Sequence, residues 1–190
     1  MWGSIAARGD ETRTPGPIAR EVPTRSETKL VLNGGLFAGL LGYGTVVVLF
    51  ALINVLAGQS PFYTPAMFGG VLFYGLSDPS ALQITPGPVL AYNMVHVLAF
   101  LALGFVASWL VAKAERYPVF RYAVLFVLIF VGAHIYAALL LFGQSLLTGG
   151  AWWQIGVVSL AAAVVMGWYL LRLHPALREG LTTLPLGDEE

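Results

Sequence analysis

The sequence contains no cysteine and few charged residues: 11% of its 190 residues are Asp, Glu, Lys or Arg, whereas 57% are hydrophobic. The absence of cysteine excludes disulfides, thiolate metal sites and cysteine nucleophiles. Charge is scarcest between residues 30 and 112, where Asp78 is the only charged residue. Because an average soluble domain has about a quarter of its residues charged, this composition argues against a water-soluble enzyme domain and predicts an integral membrane protein.

Four apolar runs are long enough to cross a hydrocarbon core of about 30 Å as helices. They cover about residues 32–57, 89–112, 120–142 and 152–171. We therefore predict an all-α integral membrane protein, with a four-transmembrane-helix bundle in residues 29–174. Residues 1–28 show no apolar period, which predicts a disordered cytoplasmic tail, and residues 175–190 are predicted to form a short polar cytoplasmic tail.

The basic residues all fall on one side of this predicted bundle. Five precede the first span, three lie at the turn between the second and third spans, and two follow the fourth. The positive-inside rule makes this side cytoplasmic. We therefore expect a multi-pass protein of the cell membrane, with a bacterial plasma membrane as the plainest location and both termini in the cytoplasm. Arg172 and His174 are expected to anchor the end of the fourth span by snorkelling.

The first outer loop, residues 58–87, contains an apolar stretch that is too short to span, at about residues 65–76. Thr64 and Pro65 suit a helix N-cap and a first helical position. A short interfacial helix is predicted here, packing as a lid over the bundle. A functional re-entrant segment is the alternative.

Small residues at four-residue steps predict where the helices pack, since small side chains let helix backbones approach inside a membrane. Each predicted span has such a row, among them Gly35 and Gly39 in the first, Gly104 and Ser108 in the second, and Ser159, Ala163 and Gly167 in the fourth.

The predicted spans contain two histidines and no charged residue other than Arg121, at the edge of the third span, which argues against a proton pump, an ion-coupled transporter or a voltage sensor. His96 and His134 are both expected about 10 to 12 Å below the outer boundary, on adjacent antiparallel helices. His96 shares a four-residue row with Gly104, so its side chain is expected to face protein.

Amide and phenol side chains are predicted at a similar depth, in the outer half of the bundle. Together with the two histidines they form the candidate ligand site, whose further members are Asn54, Tyr92, Asn93 and Tyr136. The predicted interfacial helix would roof this pocket. An interhelical hydrogen bond from a histidine to a tyrosine or a carbonyl, with no ligand, is the alternative interpretation.

We expect a non-catalytic subunit of a membrane complex, or a binder of a hydrophobic ligand such as a quinone or a lipid-like molecule in this pocket. The expected partners are the lipid bilayer and other membrane subunits or further copies of the chain, and no nucleic acid. GxSxG, HExxH, Walker and Rossmann motifs are absent from the sequence, which disfavours an enzyme.

Two alternatives stay open at this point. The first is a membrane electron-transfer protein that binds haem b through His96 and His134 as axial ligands. No basic residue lies at the outer edge to pair with the haem propionates, which weakens that hypothesis. The second alternative is a facilitator of a small neutral solute. No cofactor or metal site is predicted, since two histidines without a carboxylate or thiolate leave metal coordination incomplete.

Overall fold

The structure is a computed structural model that describes residues 25–117 and 152–183. These residues are all-helical, without a strand in either range. They form five α-helices: α1 (Arg25–Leu56), α2 (Tyr63–Tyr74), α3 (Pro86–Arg116), α4 (Trp152–Leu173) and α5 (Pro175–Thr183). A 3₁₀ turn, Pro79–Ala81, lies between α2 and α3.

Within the described ranges, three helices are long and apolar enough to cross a membrane: α1, α3 and α4. The prediction of an all-helical, membrane-type chain is confirmed to this extent. The predicted third span, residues 120–142, lies outside the described residues, so the four-helix count stays a prediction. Two of the helices start before the predicted spans. α1 begins at Arg25, inside the segment predicted as a tail, and α3 begins at Pro86.

α1 and α3 pack against each other through glycines. At Gly35, an added Cβ atom would lie 2.7 Å from the Cα atom of Phe105, and at Gly39 it would lie 2.6 Å from the Phe100 carbonyl oxygen. On α3, a Cβ atom at Gly104 would meet the Gly35 carbonyl oxygen and would lie 2.8 Å from the Gly39 Cα atom. The paired residues run in opposite directions along the two chains, so α1 and α3 are antiparallel. The predicted small-residue rows of the first two spans therefore form this interface.

α4 packs on α1 through the row beside its predicted small-residue row. A contact of the predicted row with residues 120–142 lies outside the described residues. The buried residues of α4 are Val158, Ala162, Met166 and Leu170, each one position before the predicted row or its extension. The Met166 side chain lies against Gly42 of α1. Because Gly42 supplies the space on α1, α4 can bury larger side chains there. Gly167 has no described atom within 4 Å of an added Cβ atom.

α2 is a short helix that covers the start of α3. Gly69 lies directly against the Pro88 carbonyl, where a Cβ atom would not fit. The helix begins at Tyr63, slightly before the predicted start, and Phe62 at its N-cap makes no side-chain capping bond. The Thr64 hydroxyl instead donates to Asn54 of α1. The interfacial position predicted for this helix stays a prediction.

The opposite end of the described bundle, which we call the charged end, is where α1 begins and α3 and α4 end. Arg116 of α3 forms an ion pair with Glu27 of α1. His174, between α4 and α5, is 1% exposed, and its Nδ1 atom lies 2.7 Å from the Glu115 Oε2 atom. The expected snorkelling of His174 is therefore wrong. The imidazole packs into the protein and contacts a carboxylate of α3.

Candidate functional site

Four rings stack along one side of α3, and we call them the ring ladder: Phe68, Tyr92, His96 and Phe100. The last three are spaced at four residues, which places them above one another on a single helix face. The His96 ring centroid lies 4.8 Å from that of Tyr92 and 5.1 Å from that of Phe100. Phe68 of α2 stacks on Tyr92 at 5.4 Å. These separations are those of attractive aromatic pairs, so the ladder holds His96 in place.

α1 contributes Tyr43 to the same site. Its ring centroid lies 6.4 Å from that of His96, and its hydroxyl donates a 2.9 Å hydrogen bond to the Oδ1 atom of Asn93. The Asn93 amide nitrogen in turn donates to the Val89 carbonyl at 2.7 Å. The phenol and the amide thus satisfy each other across the α1–α3 interface. The Tyr43 hydroxyl is engaged with Asn93 and does not bond the histidine.

His96 is the member of the site with unused hydrogen-bonding capacity. Its Nε2 atom is buried and has no hydrogen-bond partner within the described residues. Tyr92 contacts His96 by ring stacking. A buried polar atom without a partner is uncommon in folded proteins and points to a partner beyond the described residues: a water, an ion, a ligand or another part of the chain. The expected alternative, a bond from His96 to a tyrosine or a carbonyl, is therefore not made through Nε2 by these residues.

Asn54, unlike His96, has no unpaired hydrogen-bonding atom in its side chain. It is 4% exposed, and its side chain connects α1 to the turn before α2. Its Oδ1 atom accepts from the Thr64 hydroxyl at 2.9 Å, and its amide nitrogen donates to the Pro61 carbonyl at 3.4 Å. Both polar groups of the amide are thus occupied. We therefore assign Asn54 a structural role in holding α2 against α1.

The structure brings together three of the six predicted site residues, Tyr92, Asn93 and His96. His134 and Tyr136 lie outside the described residues, so their place in the site is untested. Tyr43 was not among the predicted site residues, although its position in the sequence indicates that it faces α3. Tyr43 continues the four-residue row of Gly35 and Gly39, and that row faces α3.

The site offers few reactive groups. No cluster of three or more His, Asp or Glu side chains able to hold a metal ion occurs within the described residues. The groups around His96 are aromatic rings and an amide that is already hydrogen-bonded. These groups suit contact with a flat, largely apolar molecule, and the one polar atom among them without a partner in the described residues is the buried Nε2 atom of His96.

Comparison with protein-family models, with curated proteins and with solved structures gives no match to this chain. The function is therefore inferred from the side chains and their geometry.

Proposed function

We propose that this chain is a non-catalytic membrane protein that binds a hydrophobic ligand with a hydrogen-bonding head group, such as a quinone or a lipid-like molecule, at His96. The observation that carries the proposal is the buried Nε2 atom of His96, which has no partner among the described residues. A ligand carbonyl or hydroxyl at this atom would remove the free-energy penalty of an unpaired polar group.

The surroundings of His96 support a planar apolar head group. The ring ladder provides aromatic surface on both sides of the imidazole. Large apolar side chains on α3, among them Leu90, Val95 and Leu98, are exposed along the same helix and suit contact with lipid or a ligand tail. Since Phe68 fixes α2 at one end of the ladder, ligand exchange would require α2 to shift, which fits the predicted role of this helix as a lid.

The proposed setting is a cell membrane with both termini in the cytoplasm and α2 on the outer side. The support is the clustering of Lys and Arg, which are absent from residues 58–87 and occur at the charged end. Exposed apolar faces on α1, α3 and α4 are available to lipid, to other subunits of a membrane complex or to further copies of the chain.

The orientation is testable because the chain lacks cysteine, so one introduced thiol reports one position. In intact cells, we expect Ser77→Cys, in the loop after α2, to react with a membrane-impermeant maleimide. Glu179→Cys on α5 should react only after the cells are permeabilised. Labelling of Glu179→Cys in intact cells would contradict the proposed orientation.

Ligand binding is tested with decyl-ubiquinone as the probe, titrated against the full chain in lipid nanodiscs and followed by tryptophan fluorescence. We expect His96→Phe to weaken binding roughly tenfold, because it keeps a ring in the ladder but removes the nitrogen. His96→Gln should bind with intermediate affinity, since its amide can still bond the ligand. Met94→Leu is the matched control, as Met94 is 68% exposed on the same helix.

Equal affinities for the unaltered protein and His96→Phe would contradict the proposed site. The absorbance of the purified protein tests the haem alternative in the same samples. A Soret band that is lost in His96→Phe would replace the ligand proposal with haem binding.

A further inference from the structure

A second concave site lies away from His96, between the end of α2, the 3₁₀ turn and the start of α3. It is a cavity of about 370 Å³. Its shape depends on two glycines. Gly75 has φ +68°, which lets the chain leave α2 in a left-handed turn. Gly87 leaves room for the Tyr74 hydroxyl, which would lie 2.9 Å from a Cβ atom at that position.

Asp78 lines this cavity and is the only charged residue among the described residues that line it. The Asp78 Oδ1 atom accepts a 2.8 Å hydrogen bond from the Ser80 backbone N–H. This bond and a second one from the Ser80 side chain lower the pKa of Asp78, so the carboxylate is ionised at neutral pH.

No basic side chain of the neighbouring sequence can neutralise this carboxylate. Residues 30–112 contain no Lys or Arg. α3 carries its basic residues, Lys113 and Arg116, in its last turn, and the helix has 31 residues. They therefore lie roughly 45 Å from its start. The negative charge of Asp78 is therefore not paired with a Lys or Arg of residues 30–112 or of the last turn of α3.

The other groups of the cavity complement an organic cation with a polar substituent. Tyr74 is 60% exposed and lines the same cavity as Asp78, so its ring can provide a cation–π contact. Ser77, Gln83 and Thr85 add neutral hydrogen-bond donors. A free anion is disfavoured because the cavity has no basic residue, and a single carboxylate provides few ligands for a divalent metal ion.

We propose that this cavity binds an organic ammonium group, held between the Asp78 carboxylate and the Tyr74 ring. The ammonium can belong to the head group of an aminophospholipid or to a soluble amine. The neighbouring side chains Leu72, Phe73 and Ile84 are exposed and apolar, so they suit the acyl chains of a lipid. This site shares no cavity-lining residue with the ring ladder and is independent of ligand binding at His96.

The proposal is tested by native mass spectrometry of the full chain in detergent. The probes are dioleoyl phosphatidylethanolamine and its N-acetyl derivative, which lacks the positive charge. We expect the unaltered protein to prefer the free amine roughly three- to tenfold, as exposed charge and cation–π contacts imply. Asp78→Asn should abolish this preference, and Tyr74→Leu should reduce it about threefold without changing the Ser80 turn.

Two control variants isolate the charge at residue 78. Asp78→Glu and Glu179→Gln should keep the preference, because the first conserves the carboxylate and the second removes one from α5. If millimolar ethanolamine displaces the phosphatidylethanolamine, a soluble amine is sufficient for binding. If it does not, the site requires the intact lipid. Either result supports the ammonium site. An unchanged preference in Asp78→Asn would overturn it.

Discussion

Gly104→Ala is expected to destabilise the packing of α1 against α3 strongly. The new Cβ atom would meet the Gly35 carbonyl oxygen and would lie 2.6 Å from the Gly39 backbone nitrogen. Both are backbone atoms of α1, so neither can turn aside as a side chain would. The two helices must separate along their shared glycine surface, and we expect a loss of about 3 kcal/mol or more in the free energy of unfolding. Reversible unfolding in mixed dodecyl maltoside and SDS micelles, followed by circular dichroism, measures this loss.

Gly44→Ala is the matched control for this experiment, since it adds the same methyl group within α1. No described atom lies within 4 Å of a Cβ atom at Gly44. Replacing glycine by alanine in a helix is then neutral or stabilising, by up to about 1 kcal/mol. If Gly104→Ala were as stable as Gly44→Ala, the close approach of α1 and α3 would be wrong.

The α1–α3 interface could be predicted because the physics that forms it is visible in the sequence. Within lipid, close backbone contact is a main source of helix association, and close contact requires small residues on one face. Gly35, Gly39 and Gly104 fulfil this requirement at four-residue spacing. The presence of the three long helices follows with similar directness, because an apolar run of about 20 residues spans the hydrocarbon core, but α1 and α3 begin before the apolar runs that predicted them.

The packing face of α4 was harder to predict, because a glycine on one helix can make room for a large side chain on another. Gly42 of α1 accommodates Met166, so the buried row of α4 contains Val158 and Leu170 as well as Ala162. Small residues on α4 itself therefore do not mark the face that packs on α1, and the partner of the predicted small-residue row stays untested. The correct row depends on the partner helix, which no local pattern identifies.

In the candidate site, too, some features could be predicted from residue spacing and others only from the tertiary structure. Four-residue spacing predicted that His96 faces protein, and the structure places it between Tyr92 and Phe100 on that row. Asn54 and Asn93 look alike in the sequence, as amides in apolar segments. Asn54 is bound by a turn that follows it in the chain, whereas Asn93 is bound by Tyr43, which is 50 residues away. Only the tertiary structure separates these two roles.

The structural role of His174 could not be predicted from the spacing of the apolar residues or from the basic residues beside the spans. His174 lies between the end of α4 and the start of α5. It directly precedes Pro175, and a proline suits the first turn of a helix. Leu177 is buried one turn further on, in the same cluster as Leu170 and Ala114. The histidine and the leucine together hold α5 against the charged end, with Glu115 of α3 as the polar contact.

Glu115→Ala is therefore expected to lower the free energy of unfolding by about 1–3 kcal/mol, because it leaves the buried His174 Nδ1 atom without its partner. Glu115→Gln should lose less, as the amide oxygen can still accept a hydrogen bond from the ring. The same micelle titration measures both variants. Ala176→Ser, at an exposed position of α5, serves as the control and should change stability by less than about 0.5 kcal/mol.

A local measurement distinguishes the loss of this contact from general destabilisation. Because the chain has no cysteine, spin labels can be placed at two introduced thiols, Ala112→Cys on α3 and Glu179→Cys on α5. We expect the distance distribution between the labels to broaden in Glu115→Ala, since α5 then retains Leu177 as its buried anchor but loses the polar contact. An unchanged distribution, together with unchanged stability, would mean that the contact between His174 and Glu115 does not position α5. In that case, apolar packing of Leu177 would be sufficient to hold the helix.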